Sequence, residues 1–371
     1  MEPYKLTATQ ALSKFKNGSF TVEEYARSLL SRIDRRDVTV RAWAYLDPEY
    51  VIEQAKRFDQ VPRHGRGPLH GVGIAVKDVI YTKDMPTQHS SPIYEGDAPN
   101  LDAASIITLR HAGALVLGKT RTTEFTSTTL GPKTRNPHDP TRNPGGSSSG
   151  SAAAVGDYQA PIGLGTHTGG STIRPGSYNG IYATKPTWNS ISREGQKIYS
   201  LILDTLGIFA RSIDDLQLLA DVFAIEDDLP PDNAFTVKGA KFALLNHRLA
   251  TVGPGTAAAM ETGAKLLRDH GAEVEEIELP SEFDKMPEWH GIVLHSDGRA
   301  SFLPEYRVAK DKLDSFLVDH VENSGIASLR PKIDDIASKY AAILTPSVVD
   351  EAAVGIESTG SPAFNSIWTV S

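Results

Sequence analysis

Two glycine-rich serine segments and one lysine in an apolar stretch carry the residue types that could support catalysis in this sequence. The first segment, residues 144–151, reads PGGSSSGS, and the second, residues 168–171, reads TGGS. Glycine lets a backbone approach a ligand closely, and a serine hydroxyl becomes a nucleophile when a base activates it. Lys77 directly follows the apolar residues 74–76, IAV. Together the three segments could supply a serine nucleophile and a lysine base.

The first serine segment is open to other interpretations. A flexible Gly/Ser linker is disfavoured, because an apolar helix is predicted directly after it. A phosphate-binding loop would need the lysine of the G-x-x-x-x-G-K-[ST] motif, which this segment lacks. Gly146, Ser148 and Gly150 do match G-x-S-x-G, the nucleophile elbow of α/β-hydrolases. The elbow also needs an acidic residue and a histidine downstream, and the sequence offers too many of both to choose among.

The second serine segment and the lysine each have a functional and a structural interpretation. Backbone N–H groups of the glycines before Ser171 can stabilise an oxyanion, but a tight turn after a buried strand would use the same glycines. Burial of Lys77 would lower its pKa from about 10.4 and leave a neutral amine, which is a base. A lysine at a strand end can also extend its amine to water.

The elements that must position these segments alternate along the chain. Residues 21–24, TVEE, form a capping box, and the apolar spacing after them predicts a helix. Further helices are predicted over 48–58, 103–111, from 151, over 212–223, 256–269 and within 303–321, and strands over 71–79, 114–117, 161–164, 242–245, 272–279 and 341–344. This alternation predicts a single large α/β domain over residues 1–371, with a central mixed, mostly parallel sheet covered by helices on both faces.

Composition excludes several classes of function. The 371 residues carry a formal net charge of −8, without the basic surface that nucleic-acid binding requires. There is no cysteine, which excludes disulfides, thiolate nucleophiles and cysteine-ligated metals. The 11 histidines form no convincing ligand set. No signal peptide is visible, nor an apolar run of about 18 residues. We therefore expect a cytoplasmic protein without metal, cofactor, nucleic acid or membrane partner.

In their order along the chain, the three segments resemble the amidase signature family. The family's lysine strand begins with glycine and ends in Lys-Asp, as residues 71–78 do, and its P-G-G-S-S-x-G loop matches residues 144–150. Its T-G-G-S turn matches residues 168–171, and its G-x-x-x-x-K-P-T strand matches residues 180–187. The resemblance is dense over about 68–219 and thinner on both sides.

The resemblance implies the amidase signature fold and a catalytic triad. Ser171 would be the nucleophile, Lys77 the base, and Ser147 the bridge between them, held by a cis Gly146–Ser147 peptide bond. Such an enzyme hydrolyses amides, and aryl carbamates (urethanes) or esters as further substrates, through an acyl-enzyme without metal or cofactor. The N–H groups implied to form the oxyanion hole belong to Thr168, Gly169, Gly170 and Ser171.

The sequence does not decide which substrate and which partner the protein binds. The expected partner is a small-molecule amide or carbamate substrate, and a homodimer is the hypothesis for the assembly. A second hypothesis makes the chain the amidase-like subunit of a glutamine-dependent amidotransferase. A third makes it a binding protein that has lost catalysis, which the intact set of Lys77, Ser147 and Ser171 disfavours.

This sequence departs from the family's common pattern in two positions. Many relatives carry aspartate at the position of His167, and many place an arginine two residues after the nucleophile, whereas Arg174 lies three residues after it. Amidotransferase subunits usually keep both features, so the chain fits that hypothesis less well. We expect Arg174 either to bind substrate or to fix the turn through backbone carbonyls. The chain also looks short after residues 361–366 for this family.

Overall fold

Helices and strands alternate in the computed structural model, which describes residues 2–128, 131, 133–225, 235–245, 252–322, 342–347, 352, 355 and 359. The helices are α1 (Ala8–Asn17), α2 (Val22–Val40), α3 (Pro48–Asp59), α4 (Ala104–His111), α5 (Ser149–Gly156), α6 (Ile173–Tyr178), α7 (Ile213–Val222), α8 (Pro254–Asp269), α9 (Met286–Ala309) and α10 (Ser315–Glu322). The strands are β1 (Trp43–Leu46), β2 (Gly73–Lys77), β3 (Leu115–Thr120), β4 (Ile162–His167), β5 (Tyr182–Thr184), β6 (Thr205–Ala210), β7 (Lys241–Leu245), β8 (Glu273–Ile277) and β9 (Ala342–Leu344).

Local sequence signals explain where several helices begin. The Thr21 hydroxyl accepts a hydrogen bond from the backbone N–H of Glu24, and the Glu24 carboxylate accepts one from the N–H of Thr21. This is the predicted capping box, and α2 begins at the next residue. Helix α1 begins with the same arrangement between Thr7 and Gln10. This cap was not predicted, although residues 7–10, TATQ, fit the same pattern. Side-chain caps therefore fix the entry to both N-terminal helices.

The main sheet has six strands in the order β1-β3-β2-β4-β6-β5, and a second sheet has the order β8-β7-β9. The main sheet is mixed, as predicted, but it is not mostly parallel, because two of its five described strand pairs are parallel and three are antiparallel. Its parallel pairs join β2 to β3 and β4 at the centre. Its antiparallel pairs lie towards both edges, while both pairs of the second sheet are parallel. Strands β5 and β6 pair antiparallel because no helix lies between them to carry the chain back across the sheet.

Helices cover both faces of the main sheet, as the alternation predicted. On one face, Ala75 of β2 packs with Ala153 and Ala154 of α5. On the other face, Ile74 and Val76 pack with side chains of α4 and α7. All five residues of β2 are buried. Side chains of successive residues alternate between the faces, so Lys77 lies on the face that α5 covers.

The C-terminal helices agree with the prediction. Helices are expected within residues 303–321, and two lie there, the end of the 24-residue α9 and nearly all of α10. The chain leaves the α-helix at Ala309, whose φ is −154°, and the Asp314 carboxylate accepts the N–H of Phe316 at the start of α10. Residue 341 of the last predicted strand and residues 361–366 lie outside the described residues. Among the described helices, none combines the length and apolarity needed to cross a membrane.

Candidate active site

Lys77 ends the central strand β2 and is completely buried. Its Nζ lies 2.8 Å from Ser147 Oγ, 3.0 Å from Ser148 Oγ and 2.6 Å from Thr166 Oγ1. In the described part of the chain, no carboxylate forms an ion pair with it. Burial lowers the pKa of Lys77 well below its ordinary value, and the charge of Asp204 opposes that shift only in part. A buried amine among hydroxyl groups is most stable uncharged.

The hydrogen bonds of Ser148 orient the lone pair of Lys77. The Ser148 hydroxyl donates its proton to the carbonyl oxygen of Thr166 at 3.2 Å, so towards Lys77 it can only accept. A neutral amine has two protons and one lone pair. If Ser148 and Thr166 Oγ1 accept the two protons, the lone pair is left for the Ser147 hydroxyl. Lys77 is therefore placed to take a proton from Ser147.

The loop before α5 presents Ser147 to the lysine. The Gly146–Ser147 peptide bond is cis, as the resemblance implied. Gly145, with a φ of +73°, adopts the left-handed conformation that favours glycine. Its carbonyl oxygen accepts a hydrogen bond of 2.6 Å from the Ser149 hydroxyl at the start of α5. The glycines of this segment thus shape a loop that α5 holds rigidly, rather than a flexible linker.

Ser148 does not have the environment of a nucleophile elbow. Its side chain is completely buried, and its Oγ also accepts the backbone N–H of Thr166 at 3.2 Å. An elbow nucleophile must be accessible above the sheet, at the turn from strand to helix. Ser148 instead joins β4 to the lysine.

Ser171 lies in the turn between β4 and α6. Its carbonyl oxygen accepts the N–H of Ser148 at 3.4 Å, which brings the two serine segments together. Its side chain is 8% exposed, and its hydroxyl forms no hydrogen bond with any described residue. The backbone N–H groups of residues 168–171 likewise find no acceptor within the described ranges. Free N–H groups beside a free hydroxyl are what an oxyanion hole and its nucleophile require.

Arg174 links the two serine segments from the first turn of α6. Its Nη2 donates to the carbonyl oxygen of Gly146 at 2.7 Å, and its Nε donates to that of Thr359 at 2.7 Å. The side chain is 5% exposed, and its Nη1 has no hydrogen-bond partner in the described part of the chain. These carbonyl contacts correspond to the second role predicted for Arg174, that of fixing the turn. A role in substrate binding stays a prediction.

His167, at the end of β4, is buried and neutral. Its Nδ1 accepts the backbone N–H of Thr172 at 3.2 Å. Burial, with the nearby charges of Lys185 and Arg174, lowers the pKa of His167 well below its ordinary value. A neutral imidazole here accepts a hydrogen bond from the turn without adding a negative charge near Lys77.

Three residues near the site were not predicted from the sequence. Thr166 contacts Lys77, and Asp204 accepts the Thr168 hydroxyl at 2.6 Å and the N–H of Tyr199 at 2.7 Å. Burial raises the pKa of Asp204 to about 6. His290, from α9, lies 3.0 Å from the carbonyl oxygen of Thr168 through its Nε2. Strand alternation could have indicated Thr166. No local pattern marks Asp204 or His290, because only the fold brings them to the serine segments.

One group of described residues, His295, Asp319 and His320, has the composition of a metal site. The two imidazole rings are stacked with centroids 3.9 Å apart and planes only 11° from parallel. Lone pairs in such parallel planes do not converge on one ion. Both nitrogens of His320 are also engaged, with Tyr199 and with the carbonyl oxygen of Phe316. The group is better described as a packing contact between α9 and α10.

Comparison with known proteins identifies the family to which this fold belongs. The described structure is an α/β fold in which a buried lysine and two serine loops meet at the centre of a mixed sheet. The Amidase family model matches residues 24–352, and the chain belongs to this family, the amidase signature enzymes. Its fold is also similar to that of fatty acid amide hydrolase, with a TM-score of 0.86 at 22% identity, covering 99% of this chain and 72% of that one.

Curated relatives carry a more specific name, that of the A-type subunit of glutamyl-tRNA(Gln) amidotransferase. The chain is 36% identical over 311 residues to this relative from Chloroflexus aurantiacus, covering 78% of this chain and 64% of that protein. It is 39% identical over 297 residues to the relative of the same name from Symbiobacterium thermophilum, covering 74% and 61%. The chain therefore spans less than two thirds of the length of these relatives.

Proposed function

We propose that this protein hydrolyses the C–N bond of amides through an acyl-enzyme on Ser171. The observation that carries the proposal is the 2.8 Å contact between Lys77 and Ser147 in a completely buried setting. A lysine with a lowered pKa beside a serine hydroxyl is an activated base. The free N–H groups of residues 168–171 supply the matching electrostatic stabilisation.

The first half of the reaction forms the acyl-enzyme. Neutral Lys77 takes the proton of Ser147 while Ser147 takes that of Ser171. This step requires the Ser147 and Ser171 hydroxyls, which form no hydrogen bond with each other in the described structure, to approach to hydrogen-bond distance. Ser171 Oγ then bonds to the substrate carbonyl carbon, and the carbonyl electron pair moves onto oxygen. The N–H groups of residues 168–171 donate to that oxyanion. When the oxyanion collapses, the C–N bond breaks and the proton returns through Ser147 to the leaving amine.

The second half releases the acid. A water molecule gives a proton to the same relay and attacks the acyl carbon. The ester bond to Ser171 then breaks, and the relay returns the proton to Ser171 Oγ. Lys77, Ser147 and Ser171 end in their starting states, so the cycle consumes only amide and water. All of these steps use groups of the protein, and no metal or cofactor enters them.

The substrate is proposed as a neutral small-molecule amide, with aryl carbamates as a second class. Arg174 donates two hydrogen bonds to backbone carbonyls, and His167 is uncharged. Arg174, the arginine nearest to Ser171 in sequence, therefore binds the protein's own backbone, and this favours a neutral substrate over an anionic one. A urethanase activity and a homodimeric state belong to the same proposal.

A second candidate function is that of one component of an amidotransferase, which the names of the curated relatives favour. The same relay would release the amide nitrogen of glutamine, and partner subunits would deliver it to an acceptor. His167 and the position of Arg174 disfavour this candidate, because amidotransferase subunits usually have aspartate and a closer arginine there. The identity of 36–39% to the curated relatives favours it. Glutaminase activity and co-purification with partner subunits would decide in its favour.

Labelling of the active site tests the chemistry common to both candidates. The purified protein is treated with a fluorophosphonate and mapped by peptide mass spectrometry, and we expect the label on Ser171. Ser171→Ala should abolish labelling, whereas Ser177→Ala, in α6, should retain it. A label on Ser148 would support the nucleophile elbow instead and overturn the relay.

A substrate screen then separates the two candidates. Initial rates are compared for aryl amides, aliphatic amides, aryl carbamates and glutamine. Turnover of the neutral amides without partner subunits supports the hydrolase. If glutamine is the one substrate that is turned over, and if this turnover requires the partner subunits, the result supports the amidotransferase function and overturns the first proposal.

A further inference from the structure

We infer that His290 is a positioning residue for the oxyanion hole, through which helix α9 controls the rate of the chemical step. The inference deepens the proposed function and rests on it. His290 lies more than 100 residues beyond the serine segments, yet its Nε2 is 3.0 Å from the carbonyl oxygen of Thr168. The side chain is 5% exposed.

The hydrogen bond fixes a peptide group that the reaction would use. The carbonyl of Thr168 and the N–H of Gly169 belong to the same planar trans peptide, so they point in opposite directions. When His290 Nε2 donates to the carbonyl oxygen, the Gly169 N–H is directed away from His290. Gly169 is one of the residues whose N–H has no acceptor within the described ranges. Its direction is therefore set by a bond on the other side of the peptide.

Packing reinforces the hydrogen bond. A Cβ added at Gly169 would lie 2.5 Å from Cε1 and 2.8 Å from Nε2 of His290, and its three nearest neighbours are all atoms of that imidazole. The ring therefore lies directly against the glycine. On the other side of the turn, the Asp204 carboxylate accepts the Thr168 hydroxyl. Thr168 is thus held by its carbonyl and by its side chain.

The helix that carries His290 is itself fixed to the same region. Asp297 of α9 accepts the Ser200 hydroxyl at 2.6 Å, and Glu305 accepts Lys197 Nζ at 2.6 Å. Residues 290, 297 and 305 are seven and eight apart, so they share one face of the helix. Ser200 and Lys197 belong to the segment that leads to Asp204. One face of α9 therefore holds both the oxyanion turn and the segment that supports it.

The test compares three substitutions at position 290 on a neutral anilide substrate. Glutamine can place an amide N–H near the position of Nε2, whereas asparagine is too short and alanine has no donor. We expect His290→Ala and His290→Asn to lower kcat by about tenfold to hundredfold, less than the 10²–10³-fold lost with a whole oxyanion donor. KM should change less than about threefold, and His290→Gln should recover most of kcat.

A double-substitution cycle tests the packing. Gly169→Ala should lower kcat in the wild-type protein, because the atoms nearest to its Cβ belong to the His290 ring. In the His290→Ala background the same change should cost little. His295→Ala, a half-exposed position of α9, is the matched control and should retain kcat.

The outcomes separate this inference from the proposed function. If the wild-type protein neither labels on Ser171 nor turns over an amide, the proposed function has failed. If it does both, and His290→Ala keeps the wild-type kcat, the positioning role is wrong while the relay stands. If His290→Ala does not fold, the glutamine and asparagine variants decide. Equal kcat values for those two, or a cost of Gly169→Ala that is independent of His290, would also overturn the inference.

Discussion

Two completely buried lysines lie on opposite faces of the same pair of strands, and their surroundings differ. Lys77 of β2 lies on the face of α5, among hydroxyl groups. Lys119 of β3 pairs in register with Val76, on the other face. Its Nζ donates to the carbonyl oxygen of Ile80 and to Thr87 Oγ1, each at 2.6 Å, and lies 4.0 Å from an Asp78 carboxylate oxygen.

The difference shows how equal burial gives two roles. Desolvation lowers the pKa of both lysines. Asp78 and two further carboxylates limit the shift at Lys119, where the pKa falls to about 8. At Lys77, Asp204 is the one charge among the described residues that opposes desolvation. A buried lysine with a carboxylate partner is favoured as a cation, whereas a buried lysine without an ion-pair partner loses its proton more readily, which is the property that the proposed base requires.

The largest effect is expected when the hydroxyl-bound lysine is removed. Lys77→Met keeps the approximate volume and removes the base, so kcat should fall by about 10⁴–10⁶-fold. Stability should fall only modestly. No buried charge is left without a partner, although the hydroxyls of Ser147, Ser148 and Thr166 each lose a hydrogen bond. Initial rates and thermal unfolding measure the two quantities. Ser147→Ala should add little to this loss, since the residues act as one relay. A folded Lys77→Met protein with near-normal activity would refute the base.

The same substitution at Lys119, on the other face, should lower stability strongly and kcat only weakly. Lys119→Met removes the ion-pair partner of the buried Asp78, which keeps the charge of Arg121 and its backbone hydrogen bonds. Breaking a buried ion pair costs about 3–5 kcal/mol in the free energy of unfolding, and the 4.0 Å separation here sets the expected loss at the lower end of that range. Urea unfolding measures that loss, and the kcat of the folded fraction should fall far less than in Lys77→Met. Lys119→Met combined with Asp78→Asn should recover part of the stability. Unchanged stability in the single variant would mean that the pair does not support the fold.

The smallest effect on activity is expected from substitution of Asp204, whose charge acts on the pKa of Lys77. The charge of Asp204 raises the pKa of Lys77, so Asp204→Asn should lower that pKa further. In the proposed mechanism, activity depends on neutral Lys77 and therefore rises with pH until the lysine has lost its proton. The rising limb of kcat/KM should therefore move to lower pH in Asp204→Asn. Asparagine can still accept the Thr168 hydroxyl, so the plateau should fall only modestly. If the rising part of the kcat/KM pH profile did not move, a group other than Lys77 would control it.

Sequence reasoning was most successful where one segment carries its own signal. The capping box at residues 21–24 and the glycine-opened strand at Lys77 are local patterns, and the structure has α2 and β2 there. The family resemblance rests on three such segments, and the family match confirms it. Strand direction was harder to predict, because the antiparallel β6 inserts between β4 and β5 without a local signal.

The sequence by itself determined the family, the α/β class and the residues of the proposed relay, because these depend on residue types at short spacing. Only the tertiary structure decided which of two buried lysines has a carboxylate partner, and that Arg174 donates to backbone carbonyls. It alone brought His290 to the carbonyl oxygen of Thr168 across 122 positions of sequence. The physical reason is that pKa values and peptide orientations depend on the groups around an atom. Packing of distant segments, rather than spacing along the chain, determines those groups.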